Sequence, residues 1–207
     1  SFMTEKWKQY DNLDPEPLAR NYHSAIVYES DMIIFGGYNG TNNLDDLWVL
    51  NLSTFKWVEK TPTAKPTARR GHSAVLYNSK MFIFGGFITE GATNELWALQ
   101  LNQTVYEWSE ITQNNTVKPT GRQLHSAIIF SGKMFIFGGD PTSTDVLWEF
   151  ELVTKIWTEV SVLGTTPTSR SMHTAVVANN KMIIFGGQDF SEILKELWEY
   201  DLVSCDI

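Results

Sequence analysis

The sequence predicts an all-β protein built from four copies of one four-stranded unit, and two observations carry this prediction. The tripeptide Phe-Gly-Gly recurs with first glycines 49, 53 and 48 residues apart, at Gly36, Gly85, Gly138 and Gly186. All four histidines occupy one repeat position, three residues after an arginine, at His23, His72, His125 and His173. A fixed period near fifty residues indicates a β-sheet unit stacked on copies of itself.

Each unit contains four predicted strands, which we label a to d in chain order. In the first unit these are residues 23–28, 32–35, 47–50 and 57–59. Short polar turns, such as residues 29–31, join strand a to strand b as an antiparallel hairpin. Strand b is apolar without alternation in every copy, which indicates burial on both faces by neighbouring sheets. Strand d is largely polar around a tryptophan.

The tryptophans follow the same repeat. They stand after a leucine in strand c (Trp48, Trp97, Trp148, Trp198) or in strand d (Trp57, Trp108, Trp157), where Trp7 has the same sequence context. With the glycine doublets and the Arg-x-x-His segments, they resemble the repeats of kelch β-propellers from Trp7 to about Leu202. This resemblance implies a propeller with four blades of four antiparallel strands and a role in binding other proteins, without indicating which.

The blades merge into one predicted domain over residues 4–207, because each buries a face only against its neighbours. They cover about residues 20–60, 69–111, 122–160 and 170–203, and the last lacks strand d. We therefore expect residues 4–10 to pair beside residues 197–202, which completes blade 4 and closes the ring. A piece of a larger ring would contain the same residues. Residues 1–2 resemble a remnant of cloning.

Composition favours a protein that binds neither nucleic acid nor membranes. The formal net charge is -8, whereas binding to phosphate backbones requires a basic surface. Cys205 is the single cysteine, so no intrachain disulfide can form, as is usual in a reducing compartment. No apolar run approaches about eighteen residues and no signal-like segment precedes the first unit. We expect a cytoplasmic protein, and a monomer is favoured.

The binding surface is predicted where the d-to-a and b-to-c connections emerge together, a surface that we call the loop face. Variable loops on a rigid scaffold are common binding sites. Residues that break the repeat and the repeated arginines both fall there. The predicted partner-binding residues are Arg20, Tyr38, Asn39, Arg69, Arg70, Phe87, Ile88, Arg122, Gln123, Asp140, Arg170, Gln188 and Phe190.

The four repeated arginines have two interpretations. In the first interpretation, they form a ring of guanidinium groups that captures acidic side chains or phosphate on a partner. Alternatively, each pairs with a repeated acid near strand c (Asp46, Glu95, Asp145, Glu196) and braces its blade. Strict repetition favours bracing, because a residue needed in every blade is usually architectural.

The sequence favours a non-catalytic module without metal or cofactor. The histidines are expected to be packed and hydrogen-bonded, since no carboxylate or cysteine stands at ligand spacing from them. Kelch-like copper oxidases use a tyrosine joined to a cysteine, whereas Cys205 lies in the C-terminal tail. The glycine doublets lack the lysine and hydroxyl residue of a nucleotide-binding loop.

The predicted function is therefore that of a protein-interaction module, which binds a partner protein or peptide. Acidic groups on that partner would suit the arginines. The resemblance implies a scaffold or a substrate-recruiting adaptor. Two alternatives stay open: a metal- or cofactor-dependent enzyme at the channel mouth, and a structural protein that assembles with copies of itself.

Overall fold

The computed structural model describes residues 6–11, 13–101, 106–141 and 146–203, which form four antiparallel sheets. Blade 1 contains β1 (Ser24–Tyr28), β2 (Asp31–Tyr38), β3 (Asn43–Asn51) and β4 (Lys56–Lys60). Blade 2 contains β5 (Ser73–Tyr77), β6 (Lys80–Phe84), β9 (Leu96–Leu101) and β10 (Tyr106–Glu110), with a small hairpin of β7 (Phe87–Ile88) and β8 (Gly91–Ala92). Blade 3 contains β11 (Ser126–Phe130), β12 (Lys133–Phe137), β13 (Trp148–Glu151) and β14 (Ile156–Glu159). Blade 4 contains β15 (Thr174–Ala178), β16 (Lys181–Phe185) and β17 (Leu197–Asp201).

Each blade is an antiparallel meander in which strands that follow one another in the repeat are hydrogen-bonded. The a and b strands are joined by two-residue turns. In blades 2, 3 and 4 both turn residues have positive φ, as in Asn179 (51°) and Asn180 (61°), which is the conformation that suits the twist of a hairpin. The predicted all-β fold with a four-bladed propeller arrangement is confirmed.

The hydrophobic core is divided into three clusters, one between each pair of successive blades. Between blades 2 and 3, Phe84 and Leu96 are fully buried against Phe150 and Trp157. The rings of Phe84 and Trp157 have their centroids 5.1 Å apart. The blades are therefore stabilised by one another, as expected of units that cannot bury their faces alone.

The glycine doublets are required by contacts between blades. The second glycine of each of the first three doublets donates its N–H to the carbonyl of the next blade's arginine, for example from Gly139 to Arg170 at 2.8 Å. At the first glycine, Gly138, φ is +68° and an added Cβ would lie 2.2 Å from that carbonyl oxygen. Only glycine fits both the backbone conformation and this close approach.

The residues just before the histidines link the blades around the inner side of the propeller. Gly71 donates its N–H to the carbonyl of Tyr22 at 2.9 Å, Leu124 to that of Gly71 at 2.7 Å, and Met172 to that of Leu124 at 2.9 Å. These residues all have positive φ, between 55° and 65°. A continuous backbone chain thus joins all four blades.

Among the residues that the structure describes, the predicted pairing of residues 4–10 with residues 197–202 is not seen. Residues 6–11 contain no strand, and the side chain of Trp7 is fully exposed. Tyr10 instead stacks on Phe55 of blade 1, with ring centroids 4.2 Å apart. Within the described part of the chain, β17 is hydrogen-bonded only to β16.

The outward side of blade 4 is also uncovered, although the sequence predicts that its strand b is buried on both faces. Phe185 is 53% exposed and Leu197 is 69% exposed. A Cβ on Gly186 would meet only the carbonyl of Leu194, at 3.4 Å, and no arginine of another blade. Within the described part of the chain, the outward side of blade 4 therefore has no neighbouring blade packed on it.

Candidate binding face

The repeated arginines are bound inside their own blades. Arg69, Arg122 and Arg170 are at most 2% exposed, and the Arg20 side chain is 4% exposed. In each, Nη1 donates to the carbonyl of the first glycine of its blade's doublet at 2.9–3.1 Å, and Nε donates to a carbonyl two residues earlier. These bonds hold strand a against the start of the b-to-c connection.

Three of the arginines also pair with the repeated acid. Both carboxylate oxygens of Asp46 accept hydrogen bonds from Arg20, at 2.6 and 2.7 Å. Glu95 pairs with Arg69 at 2.5 Å, and Glu196 pairs with Arg170 at 2.6 Å. Asp145, the acid expected to pair with Arg122, lies outside the described residues.

A tryptophan completes this brace, because the indole N–H of Trp48, Trp97 or Trp198 donates to the same carboxylate. Burial alone would raise the pKa of Asp46 and Glu95, but the hydrogen bonds from arginine and tryptophan bring each pKa below its ordinary value. Burial lowers the pKa of Arg122 to about 10, so it is still charged at neutral pH. The structure gives these arginines the geometry of a brace and buries the guanidinium groups that a partner would need.

The histidines connect neighbouring blades. Nε2 of His72, His125 and His173 lies 2.7–2.8 Å from the hydroxyl of Ser24, Ser73 and Ser126, respectively, each in the preceding blade. Burial, followed by the charge of the nearby arginine, lowers the pKa of His72 to about 3 and that of His173 to about 4. These histidines are therefore neutral hydrogen-bonding groups. Among the residues that the structure describes, no three His, Cys, Asp or Glu side chains are grouped to hold a metal ion.

The residues that break the repeat meet in pairs on the loop face. In every blade, the residue after the repeated arginine forms a β-bridge with the residue after the glycine doublet. The four pairs are Asn21 with Tyr38, Arg70 with Phe87, Gln123 with Asp140, and Ser171 with Gln188. The variable residues therefore lie at the equivalent position in every blade, next to the buried arginines.

Arg70 is a half-buried cation on this face. Its guanidinium carbon lies 4.8 Å from the ring centroid of Tyr38 and 5.0 Å from that of Phe87. Asn43 stands beside it, with Oδ1 at 3.4 Å from Nη1 of Arg70 and Nδ2 donating to the carbonyl of Phe87 at 3.0 Å. Two aromatic rings therefore flank a half-buried guanidinium group.

Two cavities on the loop face share Leu124 as a lining residue, and we call them together the groove. The first, of about 360 Å³, is lined by Asn21, Tyr22, Tyr38, Arg70, Gln123 and Leu124. The second, of about 180 Å³, lies between blades 3 and 4 and includes Leu124, Asp140, Met172, Gln188, Asp189 and Phe190. Gly71, which has no side chain, lies beside Gln123 and Leu124 near the middle of the groove. The groove has a cationic, aromatic end at Arg70 and an acidic end at Asp140 and Asp189.

The remaining predicted residues lie on this face in different roles. Asn39 shapes its loop, because its Oδ1 accepts the N–H groups of Thr41 and Asn42 at 3.0 and 2.8 Å. Ile88 belongs to the β7–β8 hairpin and is half-buried. Phe190 is 80% exposed at the edge of the second cavity, where a partner can reach it.

Comparison with known protein families agrees with this architecture. The chain matches the family described as "KLHDC2/KLHL20/DRC7 Kelch-repeats domain" over residues 1–117 and again over residues 103–207. The chain belongs to this Kelch-repeat family. Kelch-repeat propellers are generally protein-interaction modules that bind protein partners.

Individual relatives share parts of this Kelch-repeat chain. It is 42% identical over 57 residues to Host cell factor homolog hcf-1 of Caenorhabditis elegans, which covers 26% of the chain and 7% of that protein. Rho GTPase-activating protein gacHH of Dictyostelium discoideum is 29% identical over 158 residues, 72% of the chain and 7% of the relative. Kelch domain-containing protein 10 of Homo sapiens is 49% identical over 47 residues, 23% of the chain and 11% of the relative. The chain spans only a small part of each.

Sequence reasoning missed three residues of the Kelch-repeat groove, Tyr22, Leu124 and Met172. All three have positive φ and stand just before a histidine. Tyr22 and Met172 are 46% and 49% exposed, which is unusual for large apolar side chains. Their signal in the sequence was a variable position inside a strictly repeated segment.

No helix in the described ranges has the length and apolar character needed to cross a membrane.

Proposed function

We propose that this propeller is a non-catalytic interaction module whose loop face binds an extended segment of a partner protein. The observation that carries the proposal is the Arg70 guanidinium group, held between Tyr38 and Phe87 at the mouth of the larger cavity. The repeat places Asn21, Gln123 and Ser171 at the equivalent positions, so this group is not part of the architecture.

Arg70 suits recognition of a carboxylate on the partner. A guanidinium group presents parallel N–H donors that fit a carboxylate with two hydrogen bonds. The flanking rings remove water from its faces and leave its edge accessible, which strengthens such a bond. Arg20, Arg69 and Arg170 are already paired with Asp46, Glu95 and Glu196, and Arg122 is buried, so Arg70 supplies the positive charge at this end of the groove.

The rest of the groove offers apolar and polar contacts along an extended chain. Leu124, Met172 and Phe190 expose apolar surface, while Gln123 and Gln188 supply amide groups. The backbone of the groove is fixed by the hydrogen bonds that link Tyr22, Gly71, Leu124 and Met172. A preordered surface loses little conformational entropy on binding, so a few anchor contacts provide the affinity. Within this proposal, the wider role is that of a scaffold or adaptor in the cytoplasm.

A peptide selection tests the proposal without knowledge of the natural partner. A library of random 12-residue peptides displayed on phage is selected against the chain, and the enriched peptides are measured by fluorescence polarisation. We expect enriched peptides to contain Asp or Glu, and Arg70→Glu to weaken them at least tenfold, or about 1.4 kcal/mol. Tyr38→Ala with Phe87→Ala should weaken them as well.

The matched control is Lys80→Glu, which makes the same change of charge at the first residue of β6, directly after the a-to-b turn of blade 2 and on the opposite side of the disc. It should change affinity less than twofold. Thermal unfolding of each variant verifies that the fold is intact. Peptides that bind the Arg70→Glu variant as tightly as the unaltered chain would refute the proposed site.

A further inference from the structure

The residue just before the repeated histidine differs in size between the blades. In blades 1 to 4 it is Tyr22, Gly71, Leu124 and Met172, so blade 2 has no side chain at this position. All four residues have φ between 55° and 65°. Glycine adopts such a conformation most readily, but tyrosine, leucine and methionine adopt it here as well. The backbone therefore does not require glycine at residue 71.

The larger cavity of the groove lies beside this missing side chain. A Cβ added to Gly71 would stand 3.2 Å from Cδ2 of Leu124 and 3.3 Å from Cβ of Gln123. Both of these residues line the cavity, together with Tyr22 of blade 1 and Arg70 of blade 2. A side chain at residue 71 would crowd these walls, so glycine keeps the cavity open.

The cavity does not depend on the outer edges of the first and last blades. Its walls belong to blades 1, 2 and 3, and both interfaces between these blades are filled. Trp108 of blade 2 packs on Phe35 of blade 1, with ring centroids 4.9 Å apart. Trp157 of blade 3 packs in the same way on Phe84 of blade 2, at 5.1 Å. Blade 2 is therefore held on both sides, and the cavity is part of this fixed unit.

Apolar surface borders the cavity on both sides of Gly71. Gly71 donates its N–H to the carbonyl of Tyr22 at 2.9 Å, and its own carbonyl accepts the N–H of Leu124 at 2.7 Å. Tyr22 is 46% exposed and Leu124 is half-buried. An apolar side chain inserted between Tyr22 and Leu124 would remove apolar surface of both molecules from water, which favours binding.

Arg70 adds a charge requirement next to this apolar position, because it directly precedes Gly71 in the chain. Its guanidinium group fits a carboxylate. Successive side chains of an extended segment point to opposite sides, so two side chains that enter the same groove are two residues apart. They are then separated by about 7 Å along the segment. One short segment can therefore contact both Arg70 and the apolar position.

We infer that the loop face selects a segment with an acidic residue and a large apolar residue two positions away from it. The carboxylate pairs with Arg70, and the apolar side chain inserts beside Gly71, between Tyr22 and Leu124. Gly71 is a specificity-determining residue, because a side chain there would occupy the space that the partner's side chain needs. This inference rests on the proposed function and defines the chemistry of the partner.

The sequences of the peptides selected from the 12-residue phage library test the inference. We expect enriched peptides to combine Asp or Glu with Leu, Ile, Met or Phe at a spacing of two. Replacing that apolar residue by alanine in a synthetic peptide should weaken binding to the unaltered chain at least tenfold, measured by fluorescence polarisation. Peptides that need Arg70 but lose nothing on this replacement would overturn the inference and leave the proposed function standing. Peptides that are insensitive to Arg70→Glu would refute both.

The variant Gly71→Leu tests where the apolar residue binds, because it places in blade 2 the side chain that blade 3 has at Leu124. On this variant the alanine replacement in the peptide should change affinity less than twofold. Replacing the acidic residue of the peptide should still weaken binding. A tenfold loss that persists for the apolar residue would show that it binds elsewhere, which contradicts the inference.

Gly132→Leu is the matched control. Gly132 also has positive φ, 78°, and an added Cβ would lie 3.3 Å from the hydroxyl of Tyr77, but it belongs to the a-to-b turn of blade 3 on the opposite side of the disc. The tenfold loss should be unchanged in this variant. If thermal unfolding shows that Gly71→Leu does not fold, Leu124→Ala removes one wall of the cavity instead and should reduce the loss to less than threefold. An undiminished loss in Leu124→Ala would equally overturn the inference.

Discussion

The interface between blades 2 and 3 and the outward side of blade 4 are built from the same residues of the repeat but differ completely in burial. Phe84 and Leu96 are fully buried, whereas their equivalents Phe185 and Leu197 are 53% and 69% exposed. The hydroxyl of Ser73 is bonded to His125 of the next blade, while the corresponding Thr174 faces no blade and is exposed. The same sequence pattern therefore contributes different amounts to the free energy of unfolding, because the contribution comes from packing against the neighbouring blade.

This comparison predicts its largest effect for the phenylalanines that end strand b. Phe84→Ala should lower the free energy of unfolding by about 3 to 5 kcal/mol, because it leaves a cavity beside Trp157. Phe185→Ala is the matched change at an exposed site and should cost less than about 1 kcal/mol. Urea unfolding followed by tryptophan fluorescence measures both. Equal losses would mean that the outward side of blade 4 is covered in solution.

A smaller difference is expected for the first glycines of the doublets. Gly138→Ala and Gly186→Ala impose nearly the same backbone strain, since φ is +68° and +67°. Only Gly138 faces a carbonyl of the next blade, so its substitution should cost about 1 to 3 kcal/mol more, the usual range for overpacking. The difference between the two free energies of unfolding is the quantity to compare. A vanishing difference would contradict the close approach of blades 3 and 4.

The smallest effect, counted per residue and per pH unit, concerns pH and compares the interface histidines with His23. Burial and nearby Arg69 lower the pKa of His72 to about 3, and burial and Arg170 lower that of His173 to about 4, whereas an unfolded histidine titrates near 6.5. Below pH 6.5 the unfolded chain therefore binds more protons, so stability is complete above pH 6.5 and is lost as pH falls towards 4 and 3. Each histidine should contribute about 1.4 kcal/mol per pH unit over its range.

NMR titration of the ring protons and unfolding as a function of pH measure this effect. Partial burial and the charge of Arg20 lower the pKa of His23 as well, but His23 is exposed whereas the other three rings are buried, so His23→Asn should change the pH dependence of stability less than His125→Asn does. His125→Asn should reduce that dependence. Interface histidines that titrate at or above pH 6.5 would be inconsistent with neutral, buried rings.

Much of the fold was predictable because it depends on local and repeated signals. Short polar turns, unbroken apolar runs and glycine doublets gave the hairpins and the strand order of each blade correctly. The braces between arginine and acid were also foreseen as one of two interpretations, and the structure shows them for Arg20, Arg69 and Arg170. The groove residues Tyr22, Leu124 and Met172 were missed because their importance lies in positive φ and in contacts with other blades.

The sequence by itself determined the unit: four strands, the residues that lock one unit to the next, and the positions at which the copies differ. Only the tertiary structure decided how the units are arranged in space. Burial in this fold comes from side-chain and backbone contacts between units far apart in sequence, which no local pattern encodes. Those contacts bury Phe84 but leave its equivalent Phe185 exposed among the described residues, and they place Arg70 between two aromatic rings rather than in a buried brace.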